Sequence, residues 1–216
     1  MDSWIAAEWP APRLVVAGTT LRGGDFEGLG LEGEPCWLQQ VHGARIVQAG
    51  HYETPPQADG SVSFAPDRVC VVRTADCLPV LLCNQTGSVV AAAHAGWRGL
   101  AAGVIENAVA GMEVDATTVM AWLGPAISQP SFEVGDEVRA EFMSHNAADS
   151  AFFERNARGR WQADLYALAR RRLVDAGVLQ VYGGGYCTYR DQARFYSYRR
   201  DPGCGRMVSF VSRATP

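Results

Sequence analysis

The chain of 216 residues has no lysine; all 19 of its basic residues are arginines. Schiff-base and pyridoxal-phosphate chemistry both need a lysine amine, so both are excluded. Phosphate, if it is recognised, must be held by arginine forks or backbone N–H groups. No run approaches the roughly 18 apolar residues of a membrane span. Met1-Asp2-Ser3-Trp4 places an acid where a signal peptide carries positive charge, and no A-x-A cleavage pattern follows. A cytoplasmic protein that does not engage membranes is therefore expected. The net charge of -4 gives no pull toward nucleic acid. There is no internal repeat, no low-complexity tract and no C-x-x-C pair.

What is present is an ordinary globular composition, 48% hydrophobic and 19% charged, long enough to bury a substantial core. The only linker-like stretch, Thr54-Pro55-Pro56-Gln57, is short enough to be a loop, so residues 1–216 are expected to form one domain. A chain of this size does not need its six cysteines as disulfides. Cys36, Cys70 and Cys83 lie in apolar runs and read as buried thiols. Cys187 and Cys204 lie in Gly/Tyr/Arg-rich segments that decide nothing.

Short apolar runs predict strands over 60–64, 68–74, 79–84, 88–94, 118–123 and 178–183, with a final pair over 193–198 and 206–212. Helical spacing predicts one helix from Leu100 to Met112, entered through Gly96 to Gly99. Two more are predicted over 136–145, capped by Asp136, and over 165–176, capped by Asp164 and stopped by Gly177. Strands outnumber helices and several neighbours could be antiparallel. The expected class is α/β, a single-domain layered sandwich with mixed sheets.

Three residues stand out. His42 follows Trp37-Leu38, Cys77 follows the run Val69 to Val72, and His94 closes Val89 to Ala93. Each is therefore a polar or soft side chain near the end of a buried strand, where α/β proteins place their chemistry. Two imidazoles and a thiolate suit zinc or copper, and three ligands leave a position for water or substrate. Asp76 could orient a ligating histidine, act as a general base, or simply cap its turn. Gly96 and Arg98, in the turn after His94, could meet an anion. In Tyr196-Ser197-Tyr198-Arg199-Arg200-Asp201, Arg199 and Arg200 could form a phosphate-binding edge or a solvated strand end. Glu133 and Asp136 flank a helix start and read as structural.

Taken together, several ordered blocks resemble the laccase-domain family. They are Gln40-Val41-His42-Gly43, Ala58-Asp59-Gly60, Thr74 to Val80, His94 to Gly99, Leu123 to Ile127, Phe132 to Gly135 and Phe195 to Asp201. Its members are described as multicopper polyphenol oxidases, purine nucleoside phosphorylases or peptidoglycan-editing factors. The resemblance implies one zinc ion on His42, Cys77 and His94, and a single α/β sandwich domain. It also implies phosphorolysis of adenosine, inosine or methylthioadenosine, with adenosine deamination as a second reaction. The expected partners are a small-molecule nucleoside and phosphate, with the chain acting as a monomer. The N-terminal part departs from the family pattern: the Thr19 to Gly24 block has its arginine displaced, and Asp25 to Glu34 is short and lacks the family's asparagines.

Three other readings remain at this level. Copper-dependent phenol oxidation fits poorly with only four histidines, His42, His51, His94 and His145. Cys77 could instead be a nucleophile with His94 or His42 as its base, giving a cysteine hydrolase. A non-catalytic metal or partner-binding protein would close the fourth position with His51, His145 or Cys187.

Overall fold

Alternation along the strands builds two sheets stacked face to face, with the α-helices covering only one of them. The computed structural model describes residues 3–214; the start read at Met1-Asp2 lies outside them. A five-stranded sheet has the order β1 (Trp4–Ala6), β2 (Val15–Thr20), β14 (Met207–Arg213), β6 (Arg68–Thr74), β3 (Glu34–Cys36). A six-stranded sheet has the order β13 (Gln180–Gly183), β9 (Val119–Leu123), β7 (Leu78–Asn84), β8 (Val90–Ala95), β5 (Gly60–Ser63), β4 (Ile46–Gln48). Both sheets are mixed: β3 runs parallel to β6, β4 to β5 and β13 to β9, while the other pairs are antiparallel.

The strand period of two assigns side chains to layers. Along β7, Leu78, Val80 and Leu82 join the cluster under the helices, whereas Leu81 and Cys83 face the five-stranded sheet. Leu81 and Leu82 are both fully buried, and burying each contributes roughly 1.5–3 kcal/mol. On β8 the same alternation sends Ala91, Ala93 and Ala95 to the helix side and Val90 and Ala92 to the inter-sheet side. His94 therefore shares the inter-sheet parity of Val90 and Ala92. The helix layer holds α1 (Trp97–Ala101), α2 (Val104–Gly111), α3 (Asp136–His145) and α4 (Leu165–Asp175). On α2 the buried residues are Val104, Ile105, Ala108 and Val109, one face of a helix. A small antiparallel sheet of β10 (Glu133–Val134), β12 (Trp161–Ala163) and β11 (Phe153–Arg155) adds Val134, Phe153 and Ala163 to the core under the helices.

The expected α/β sandwich with mixed sheets is what forms, with four local corrections. The helix expected from Leu100 to Met112 starts earlier, at Trp97, and is divided by Gly103 at φ 90°. The 193–198 run is a series of turns, because β14 is already paired on both sides, with β2 and with β6. Trp37-Leu38 lies beyond a strand that ends at Cys36, where Trp37 N–H turns back to the Pro35 carbonyl at 3.2 Å. Gly135 rather than Asp136 occupies the cap position of α3, whereas Asp164 does cap α4 by accepting from Ala167 N–H at 3.0 Å.

Candidate metal centre

Three segments cross between the two sheets at the same end of the sandwich. Residues 37–45 lead from β3 to β4, residues 75–77 from β6 to β7, and residues 184–206 from β13 back to β14. His42 lies on the first and Cys77 on the second, while His94 sits inside β8, where that strand's last residue pairs with the first of β7. The side chains of His42, Cys77 and His94 come together with their ligand atoms all within 4.8 Å of one another. The burial is graded: His94 is buried, Cys77 half-buried and His42 exposed.

Asp59, the residue before β5, organises both histidines. Its carboxylate accepts the His94 Nδ1 hydrogen at 2.9 Å and the backbone N–H groups of Val41, His42 and Gly43 at 3.2, 2.8 and 2.7 Å. Three successive N–H groups converging on an anion form a nest, and here the anion is a side chain of the same fold. The nest holds His42 in the left-handed region, at φ 59°, strain that persists only where surrounding contacts over-determine it. With Nδ1 occupied by Asp59, His94 is left with Nε2 as its ligand atom, the arrangement by which a carboxylate fixes a metal-binding imidazole. Burial alone would raise the Asp59 carboxyl, but the bonds from His94, Gly43 and Val41 bring it below its ordinary value.

Burial alone would likewise push the Cys77 thiol up, yet the imidazoles of His42 and His94 bring it down to about 6. Burial would depress His94, and Asp59 together with Cys77 carries it up to about 9. Both shifts favour a thiolate–imidazolium pair near neutral pH, and a metal held by these residues would take the place of the imidazolium proton. Gly96 makes the close approach possible: a Cβ there would lie 2.9 Å from Cys77 Sγ and 3.4 Å from His42 Cδ2. The donor set fits a metal ion, with one thiolate, two imidazoles, a fixed tautomer and an exposed side at His42. Among the described residues no fourth protein ligand joins it. His51 and His145 lie 4.0 Å from Glu34 and Glu141, and Cys187 Sγ is 3.7 Å from Ser131 Oγ. The closed site considered above is therefore not built from these residues.

Residues 25–214 match the family described as multi-copper polyphenol oxidoreductase laccase. The purine nucleoside phosphorylase of Pseudomonas aeruginosa is 45% identical over 98% of this chain and 98% of its own length. The purine nucleoside phosphorylase YfiH of Escherichia coli is 43% identical over 98% and 99%. The chain belongs to this YfiH-like family. Its architecture agrees with a Neisseria meningitidis crystal structure at a TM-score of 0.93, with 39% identity over 99% of this chain and 100% of that one. YlmD of Geobacillus stearothermophilus gives 0.90, with 25% identity over 99% and 97%.

In this YfiH-like chain the remaining candidate residues divide sharply. Asp76 touches neither histidine; the carboxylate that orients His94 is Asp59, and Asp76 binds Thr188, Ser197 and the Arg199 N–H. Arg98 is exposed, stacked on Trp97 at 4.6 Å, with no ion-pair partner among the described residues. Arg199 is also exposed, and its guanidinium gives one bond, to the Glu133 carbonyl at 3.1 Å. Arg200 differs: its guanidinium donates to the carbonyls of Thr188, Tyr189 and Phe195, each at 2.8 Å, which makes it a brace of the 188–200 segment. Glu133 and Asp136 accept bonds from Asn156 and Trp161 at 2.7 and 2.6 Å, a structural use of both. Neither the cleft of about 490 Å³ beside β4 nor the cleft of about 560 Å³ at Cys187 includes a metal-site residue.

Sequence reasoning missed the roles of Asp59, Thr188 and Ser197. Asp59 stands in the quoted Ala58-Asp59-Gly60 block, but only tertiary structure brings it to residues 41–43 and 94. Ser197 stands in the Phe195 to Asp201 block with nothing to mark its hydroxyl, and Thr188 carries no local signal.

Proposed function

We propose that the chain is a zinc-dependent purine nucleoside phosphorylase acting on adenosine, inosine or methylthioadenosine, with adenosine deamination as a side reaction of the same centre. The observation that carries this reading is the open-sided cluster of His42, Cys77 and His94, with His94 oriented by Asp59. Zinc would supply Lewis acidity at the position the three ligands leave open. The protein groups do the rest. Asp59 keeps the imidazole tautomer fixed, and Gly96 leaves the sulfur room to reach the metal. Arg98, and the donors that Arg199 keeps beyond its one bond to the Glu133 carbonyl, are open to a phosphate, which phosphorolysis requires beside the glycosidic carbon. Arg200, committed to three carbonyls, is not assigned to phosphate. Exposed Val41 and half-buried Trp97 offer apolar surface to a flat base.

Copper would accept the same donors, but a single three-residue cluster among the described residues gives no home to further copper ions. A second reading is favoured by one specific observation: Asp59, His94 and Cys77 form a carboxylate–imidazole–thiol chain, the arrangement of a cysteine nucleophile. Metal and nucleophile compete for one sulfur, so the two readings exclude each other. The test is release of free base from inosine and adenosine by the zinc-loaded protein, with and without phosphate. Phosphate-dependent release that disappears in His42→Ala and Cys77→Ala supports phosphorolysis. Turnover that is independent of phosphate and survives chelation of the metal contradicts it and favours the nucleophile.

A further inference from the structure

The carboxylate beside the Cys77 ligand carries the third crossover. Asp76 Oδ1 accepts from Thr188 Oγ1 at 2.6 Å, and Oδ2 accepts from Ser197 Oγ at 3.0 Å and from the Arg199 backbone N–H at 2.7 Å. Asp76 is buried and sits at φ 88°, a conformation that glycine adopts more readily. The carboxylate is therefore retained against a backbone preference. Its own main-chain carbonyl accepts from Ile127 N–H at 3.0 Å, and Thr188 N–H donates to the neighbouring Ala126 carbonyl at 3.0 Å. The segment beyond is braced internally by Arg200, whose bonds to Thr188, Tyr189 and Phe195 tie its two ends together. A braced segment held at one carboxylate moves, or stays, as a unit. Arg199 is the residue that this attachment places. Its backbone is fixed by Asp76, and its guanidinium lies over the Phe132 ring at 5.7 Å, giving one bond to the Glu133 carbonyl at 3.1 Å and keeping its other donors without a carboxylate partner among the described residues.

We propose that Asp76 is a positioning residue that fastens the 188–200 segment to the Cys77 turn and thereby sets Arg199 as the anion-binding arm of the metal site. The inference rests on the phosphorolysis reading only for its choice of phosphate as the anion. Asp76→Asn is the diagnostic change. The amide keeps the shape but loses the charge: with its oxygen toward Ser197 Oγ and the Arg199 N–H and its NH2 toward Thr188 Oγ1, all three charge-assisted bonds become neutral ones, about half as strong. The Thr188 hydroxyl can rotate to accept, so what the change removes is the charge of the grip.

The test uses the full chain loaded with zinc or cobalt and inorganic phosphate as the probe, read by calorimetry. Asp76→Asn is expected to keep its metal and an unchanged cobalt–thiolate absorption, while binding phosphate about tenfold more weakly, the scale of a lost charge-assisted contact. Arg199→Gln should show the same loss, and the double variant no further loss, because both changes remove one arm. Hydrogen exchange over 188–200 should quicken in Asp76→Asn. If that variant does not fold, Thr188→Val and Ser197→Ala weaken the attachment from the other side and should each quicken exchange and weaken phosphate binding. Unchanged phosphate affinity in the Asp76 variant, or in these two, overturns the proposal. So does loss of metal in Asp76→Asn, which would make the residue a support of Cys77, and so does a wild-type protein that does not bind phosphate. Phosphate binding that responds as expected, in a protein that cleaves no nucleoside, would uphold the arm and sink the phosphorolysis reading instead.

Discussion

Asp59 is the residue on which the centre depends most. It accepts four hydrogen bonds, three from the loop that carries His42 and one from His94. Asp59→Asn removes one acceptor oxygen and unbalances both histidines, so metal affinity should fall about 10–100-fold, as for other partners of ligating histidines. Competition against a chromogenic chelator reads this directly. Gly96→Ala tests close approach instead: at φ -61° an alanine is not strained, and the cost is contact with Cys77 Sγ at 2.9 Å. Overpacking of this kind costs roughly 1–3 kcal/mol, and the cobalt–thiolate spectrum should change while the far-ultraviolet circular dichroism does not. In the metal-free protein Cys77 should alkylate with a midpoint near 6 in place of its ordinary 9.0, measured as rate against pH, and His94→Gln should move the midpoint up. The sign for stability follows from the same shifts. The lowered Cys77 value contributes stability that is full above 9.0 and lost as pH falls through about 6. The raised His94 value contributes stability that is full below 6.5 and lost as pH rises through about 9. Across that window the two slopes oppose each other, so alkylation reports the pair better than melting does. His42, Cys77 and His94 were legible in sequence because each is a rare, soft or polar residue set among apolar and small ones. Asp59 was not, because a carboxylate before a strand has many local uses and its partners lie far along the chain.

Secondary-structure elements were read well where burial alone shapes the pattern. The strand over 68–74 and the helix over 136–145 form with the expected bounds. The divided helix shows the limit of periodicity: apolar spacing continues across Gly103, and only its backbone at φ 90° breaks the ladder. A Cβ at Gly103 would meet nothing nearer than Glu106 Oε2 at 3.8 Å, so there is space for one. The cost of Gly103→Ala is therefore conformational, about 1–2 kcal/mol for an L-residue in the left-handed region. It should appear as a lower denaturation midpoint with metal content unchanged. Over 193–198 the alternation is real in burial, with Phe195 and Ser197 inside, Arg194 and Tyr198 outside and Tyr196 half-buried between them. No sequence pattern reveals that both sides of β14 are taken, and this is what leaves the segment as turns.

At the scale of the molecule, the layered α/β class followed from the abundance of short strands, but the site's location did not. It arises because two of the three segments crossing between the sheets at this end carry a ligand, and the third is fastened to the residue beside one of them. A metal bound there would tie the crossing segments together and favour the folded state by mass action, about 2.7 kcal/mol at a free concentration 100 times its Kd. Chelation should lower the melting temperature of the wild type and leave that of Cys77→Ala unmoved. The most direct test of the central claim is elemental analysis of protein purified without a metal-binding tag, compared with its His42→Ala, Cys77→Ala and His94→Ala variants. The account predicts about one zinc per chain in the wild type and loss of it in each variant, with the fold retained. Wild-type protein that takes up no metal even when zinc is supplied, or variants that keep it, would contradict the account and leave Cys77 to be understood as a nucleophile.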